Sequence, residues 1–249
     1  MIFTIALREL RSLFLSPLAW VILAVVQLIL AFLFLSHVDL FISVQSRLLG
    51  MEGAGGVTDF VVAPLLGNTA IVLLLVVPMI TMRLIAEERR NRTLSLLFSA
   101  PVSMTEIILG KYLGVMLFLL VVVGMVVLMP LSLLAGGGLD AGMFASGVLG
   151  LTLLLASFAA VGLFMSTLSQ SPSIASITTF GVLFLFWVLD WSGEGLAGKS
   201  GLAYLSLLNH YEPFLRGVFD SADAVYYLLF ITVFLVLSVR RLDADRLGG

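Results

Sequence analysis

Residues 113–135 read LGVMLFLLVVVGMVVLMPLSLLA, an unbroken run without a single charged side chain. A hydrocarbon core about 30 Å thick is crossed by around 20 mostly apolar residues in a helix, because backbone that faces lipid must satisfy its N–H and C=O groups internally. This run meets the requirement, and five further stretches read the same way: 18–35, 61–82, 145–168, 174–191 and 224–239. Composition agrees. The chain has 249 residues, 61% hydrophobic and 11% charged, whereas soluble domains carry about 45–50% apolar and roughly 25% charged residues. The spacing of the runs predicts an all-α integral membrane protein of six transmembrane helices, a single domain over residues 1–249.

Cysteine is absent, which removes disulfides, thiolate metal sites and cysteine nucleophiles together. Net charge is -2, so the overall balance points to neither nucleic acid nor an acidic substrate, and only the position of the charges is informative. Lys and Arg stay on the cytoplasmic side of a membrane protein. With six spans and an internal N-terminus, ten of the 13 basic residues fall inside: Arg8, Arg11, Arg83, Arg89, Arg90, Arg92, Lys111, Arg240, Arg241 and Arg246. Arg47, Lys199 and Arg216 fall outside, with most of the acidic residues. Both termini are expected in the cytoplasm. The first apolar run is too long for a signal h-region and no small-residue cleavage site follows it, so it is expected to be retained.

Before the first span, Phe3, Leu7, Leu10 and Phe14 recur at helical spacing, with Thr4, Arg8, Arg11 and Ser12 elsewhere around the wheel. Residues 1–16 read as an amphipathic helix in the membrane interface, or as a plain extension of the first span. The loop 83–111 is the most informative segment outside the spans. Glu87, Glu88, Arg89, Arg90 and Arg92 carry both charge signs, Leu94, Leu97 and Phe98 add an apolar face, and Ala100-Pro101 breaks the helix. Ser103 and Glu106 then match a capping box, in which the Ser hydroxyl and the Glu carboxylate satisfy each other's backbone N–H groups. The resulting cytoplasmic knob is shaped either to dock a soluble partner or to anchor helix ends among headgroups. Pro78 and Pro130 lie within spans, and small residues at Gly110, Gly114, Gly147 and Gly150 would let helices approach closely, although such spacing is also ordinary in membrane helices.

Chemical motifs are sparse. Residues 193–200, GEGLAGKS, satisfy the phosphate-loop pattern, yet that loop acts at the junction of a strand and a helix in an α/β domain, and nothing nearby supplies one. His37 with Asp39 and His210 with Glu212 could each offer metal ligands, but two distant histidines fall short of a zinc set. No catalytic grouping can be assembled, so the chain reads as a non-enzyme with no metal and no directly bound cofactor. Ionisable groups are missing from mid-span, where ion-coupled carriers place them, so energy for any transport is expected from outside the membrane. A scaffold without transport also fits.

Three stretches in order, RELRSLFLSPLAW at 8–20, AEERRNRTLSLL at 86–97 with APVS at 100–103, and IILGKY at 107–112, resemble permease subunits of type-2 ABC transporters. HYEPF at 210–214 and RGVFD at 216–220 are similar to the segment before the last helix in the gliding-motility and nitrous-oxide-reductase-maturation branch. The resemblance implies a bacterial inner-membrane subunit that exports its substrate and works as a dimer with a second permease copy. It also implies two copies of a separate ATPase subunit that bind ATP and Mg, and a further membrane subunit with a large extracytoplasmic domain. By the same likeness residues 1–16 form the interfacial helix in contact with membrane lipid. Glu87, Glu88, Arg89, Arg90 and Arg92 would carry coupling to the ATPase, Leu94, Leu97 and Phe98 would seat it, and 192–223 would supply short outer helices. The family often has Gly before the Thr and Glu two residues after it; here Arg92 and Ser95 stand at those places.

Overall fold

The computed structural model describes residues 1–48, 56–94, 102–133, 139–189 and 203–248. Among these the chain is helical, with no strand. Helix α1 (Ile2–Leu15) ends at an extended Ser16, and α2 (Pro17–Leu48) starts at the following proline, whose fixed φ and missing N–H suit a first helical position. A π-helical turn, Thr58–Val62, leads into α3 (Ala63–Thr81), and a short α4 (Ala86–Arg90) follows a turn.

Helix α5 (Met104–Leu131) opens on the Ser103–Glu106 capping box, with both reciprocal hydrogen bonds formed. Asp140 caps α6 (Ala141–Leu168) by accepting from the N–H groups of Gly142 and Met143 at 2.8 and 3.1 Å. Then come α7 (Pro172–Val188), a 3-10 turn at Ala203–Leu205, the single-turn α8 (Glu212–Leu215) and α9 (Ser221–Gly248). The phosphate-loop match at 193–200 lies outside the described residues.

Among the described residues five helices are long and apolar enough to cross a membrane: Pro17–Gln45, Thr58–Arg90, Met104–Leu131, Ala141–Leu168 and Ser221–Arg246. The sixth expected span, 174–191, corresponds to α7. Its 17 residues rise about 26 Å at 1.5 Å each, short of a core about 30 Å thick. Pro172 sets its start, and the expected end at Trp191 is outside the described residues. Among the described residues the six expected spans thus correspond to five long helices and one shorter apolar helix.

Helix α6 is the central post. It packs against α3, α5, α7, α8 and α9, and 67% of its apolar window is buried, against 17% for α9. The peripheral helices turn large apolar side chains outward, among them Leu28, Phe32, Ile177 and Leu229. So much exposed apolar surface is at home only in lipid or against another protein.

Helix α1 lies along the start of α5 and has three sectors. Ile5, Ala6, Leu10 and Leu13 meet the bundle, Phe3 and Leu7 point outward, and Arg8, Arg11 and Ser12 form the exposed polar side. The close approach rests on two glycines. A Cβ at Gly110 would stand 2.7 Å from the Ile5 side chain, and one at Gly114 would stand 2.7 Å from Glu9 Cβ and 3.0 Å from the Ala6 carbonyl oxygen. Backbone cannot yield as a side chain does, so Gly114→Ala is expected to push α1 off α5 at a cost of about 1–3 kcal/mol. The check is a lower Tm in detergent with faster proteolysis within α1, while Gly124→Ala, where a Cβ meets nothing within 4 Å, leaves both unchanged.

Candidate functional site

Where α3 stops at Thr81 the chain leaves the bundle through a turn that frees backbone polar groups, and buried groups of that kind must find partners. Ser166, fully buried on α6, supplies them. Its hydroxyl accepts from the N–H groups of Ile85 and Ala86, each at 3.0 Å, and donates to the Met82 carbonyl at 3.1 Å. Helix α4 then carries Glu87 and Glu88 in its first turn and Arg89 and Arg90 in its last, the arrangement that complements a helix dipole. It ends in a Schellman turn: the Arg92 N–H donates to the Arg89 carbonyl at 3.1 Å and the Thr93 N–H to the Glu88 carbonyl at 3.0 Å, and Arg92 has φ 56. That left-handed position is normally glycine.

The charged side chains of α4 face two ways. Lys111 of α5, 3% exposed, donates to Glu88 Oε1 at 2.9 Å and to Glu9 Oε2 of α1 at 3.3 Å. Arg89 donates to the Thr167 carbonyl at 2.9 Å and is ion-paired with Asp245 near the end of α9; Arg241 reaches the same carboxylate at 3.4 Å. These pairs bring α1, α4, α5, the end of α6 and the end of α9 to one end of the bundle. Arg90 and Arg92 remain exposed, Glu87 and Leu94 are partly buried, and Leu97 and Phe98 lie outside the described residues.

Of the interfacial set, Phe3 and Leu7 are 78% and 55% exposed, Arg8 and Arg11 are exposed, and Leu10 and Phe14 are half-buried against the bundle. Phe14 sits on Phe118 at 5.3 Å between ring centroids, and the Trp20 indole donates to the Phe14 carbonyl at 2.8 Å, fixing the corner between α1 and α2. Four residues of this end went unread in the sequence: Glu9, Ser166, Thr167 and Asp245. The only signal for Glu9 was a lone acid on a helix otherwise basic and apolar; nothing local marked the other three.

At the opposite end, His210 Nδ1 is 2.6 Å from Asp223 Oδ1 and its Nε2 is 2.9 Å from the Tyr204 carbonyl oxygen, with the ring stacked on Tyr226 at 3.9 Å. Its carboxylate partner is thus Asp223 and not the neighbouring Glu212, which pairs with Arg216. His37 contacts the Asn68 side chain at 3.1 Å. Among the described residues no three His, Asp or Glu side chains gather as a metal set would. The Tyr227 hydroxyl donates to the Leu207 carbonyl at 2.6 Å. The Tyr211 hydroxyl is buried without a hydrogen-bond partner, and burial pushes its phenol pKa up.

A family model described as ABC-2 family transporter protein matches residues 40–189, from the end of α2 through α7 and including the charged elbow at α4. No curated protein matches the chain.

Two outcomes follow from this end of the bundle. Lys111→Ala leaves two carboxylates facing each other without their cation, and is expected to destabilise by about 3 kcal/mol; the same measurement of Tm should show much of the loss recovered when Glu88→Gln is added. Arg92→Gly removes the strain of a side chain in left-handed backbone and should raise stability by about 1 kcal/mol, read as a higher Tm.

Proposed function

As the chain belongs to the ABC-2 family of transporter proteins, we propose that it is a permease subunit that moves its substrate outward across the bacterial inner membrane, driven by a separate ATPase subunit. The family assignment and five long apolar helices make it a multi-pass membrane subunit of an ABC transporter, and such permeases work with an ABC ATPase, often as dimers. ATP and Mg belong on that partner, and a second permease copy completes the path. The end of the bundle bearing α1, α4 and the C-terminal helix faces the cytoplasm in this reading. Within the family, the gliding-motility and nitrous-oxide-reductase-maturation branch is our choice, and with it an accessory subunit bearing a large outer domain.

The observation that carries the reading is the division of labour on α4. Arg90 is exposed at the end of the helix while Glu88 and Arg89 are held by Lys111 and Asp245. A soluble partner gripping the exposed side, with Leu94, Leu97 and Phe98 completing the seat, would displace the elbow. The inward pairs would carry that displacement to α1, α5 and α9, since charge pairs at a moving contact fix both register and direction.

The test is purification with the candidate ATPase. Arg90→Ala together with Arg92→Ala should weaken association about fivefold, the effect of roughly 1 kcal/mol. Glu88→Ala or Arg89→Ala should leave association nearly intact and uncouple ATP turnover from the permease. An ATPase that never associates with the wild-type chain would sink the reading, and association without any effect on turnover would favour a membrane scaffold.

A further inference from the structure

A cavity of about 280 Å³ lies between α1, the start of α2, the end of α3, α4 and α5. Ligand pockets run roughly 300–1,000 Å³, so its size suits a headgroup and not a whole amphiphile. Part of its lining is apolar, from Ile22, Met79, Ile80 and Phe118. The lining comes from where α2 begins and α3 ends, the level at which the headgroups sit if these helices cross a membrane.

The polar wall is zwitterionic. Three cations line it, Arg8, Arg83 and Lys111, with three carboxylates, Glu9, Glu87 and Glu88. Lys111 is already shared between Glu9 and Glu88. That leaves the guanidinium groups of Arg8 and Arg83, next to the hydroxyls of Ser12 and Ser16, the latter accepting from Arg83 at 3.3 Å. It also leaves two acceptors: Glu87, which makes no ion pair among the described residues, and Glu88 Oε2, which is buried with no hydrogen-bond partner. A buried carboxylate oxygen without a donor is costly, and a ligand that brings N–H groups to it removes that cost.

We infer that this cavity binds the headgroup of an ethanolamine phospholipid, the phosphate on the Arg8–Arg83–Ser16 side and the primary ammonium on Glu87 and Glu88. The charges decide the class. Phosphatidylglycerol would bring its phosphate to three carboxylates with no cation of its own to offset them, and a serine headgroup would add a fourth carboxylate. A choline lipid has the right charges but a quaternary ammonium without N–H donors, whereas a primary ammonium has three. The acyl chains, which the cavity is too small to hold, stay outside it on the exposed apolar surface of α2, a contact that a soluble zwitterion forgoes. The inference needs only the membrane location of the chain and holds whether or not an ATPase grips α4.

The experiment is native mass spectrometry of the purified full chain in non-ionic detergent, incubated with equimolar phosphatidylethanolamine, phosphatidylcholine and phosphatidylglycerol of identical acyl chains. The ethanolamine lipid should be retained about tenfold over the choline lipid, the ratio that ~1.4 kcal/mol supplies, and excess free glycerophosphoethanolamine should not displace it. Arg8→Ala with Glu87→Gln should bring the ratio to parity; neither side chain is ion-paired among the described residues, so the variant is expected to fold. Arg216→Ala, at the other end of the bundle, should keep the preference. Equal retention of the two lipids by the wild-type chain overturns the assignment, as does preferential retention of phosphatidylglycerol or displacement by the soluble headgroup.

Discussion

One buried ammonium organises the charged end of this bundle. Lys111 is 3% exposed on α5, and an ammonium taken out of water costs several kcal/mol unless acceptors surround it. Its acceptors come from two other helices, Glu9 on α1 and Glu88 on α4. Neither helix can move away without stranding the cation, so their positions are mutually fixed through a single side chain. The flanking Gly110 and Gly114 serve the same end, because only glycine lets the α1 backbone come close enough for Glu9 to reach.

The elbow between α3 and α5 depends on that arrangement and on a second one of a different kind. Leaving a helix inside a packed bundle exposes backbone donors and acceptors, and Ser166 satisfies three of them at once. Arg89 adds the carbonyl of Thr167 and the carboxylate of Asp245. The elbow is therefore attached to α5 and α1 by one charged residue, and to α6 and α9 by the next. In a permease driven from outside the membrane, a displaced elbow would act on four helices rather than one.

The other end is stitched as firmly by different chemistry. Gly150 of α6 lies so close to α8 that a Cβ there would stand 2.5 Å from Phe214 Cβ. His210, Tyr226 and Tyr227 bind the segment before α9 to α9 itself through Asp223 and the carbonyls of Leu205 and Leu207. Asp140, which caps α6, donates its own backbone N–H to the Thr58 hydroxyl oxygen at 2.8 Å. Between the two ends, α2 meets α5 through one polar contact, the Gln27 side-chain amide donating to the Met125 carbonyl at 3.3 Å.

The long helices were legible in the sequence because lipid imposes a local rule: some 20 apolar residues, backbone bonds closed within the segment. Ser103 with Glu106 and Pro172 were legible for the same reason, since capping and proline act over three or four residues. Helix α7 was legible as an apolar helix starting at Pro172, while its expected end at Trp191 lies outside the described residues. The partners of the elbow were not legible: Ser166 meets Ile85 across 81 positions and Asp245 meets Arg89 across 156, and no local pattern marks such a contact. Nor could the residues of α4 be sorted into inward and outward, since Glu87, Glu88, Arg89 and Arg90 look alike on a helix of one turn. Sequence alone determined which segments enter the membrane and where charge collects, because solvation is a property of each segment. Only the tertiary structure decided which charges are spent within the chain and which are left to meet something else, because that depends on how closely separate helices can approach.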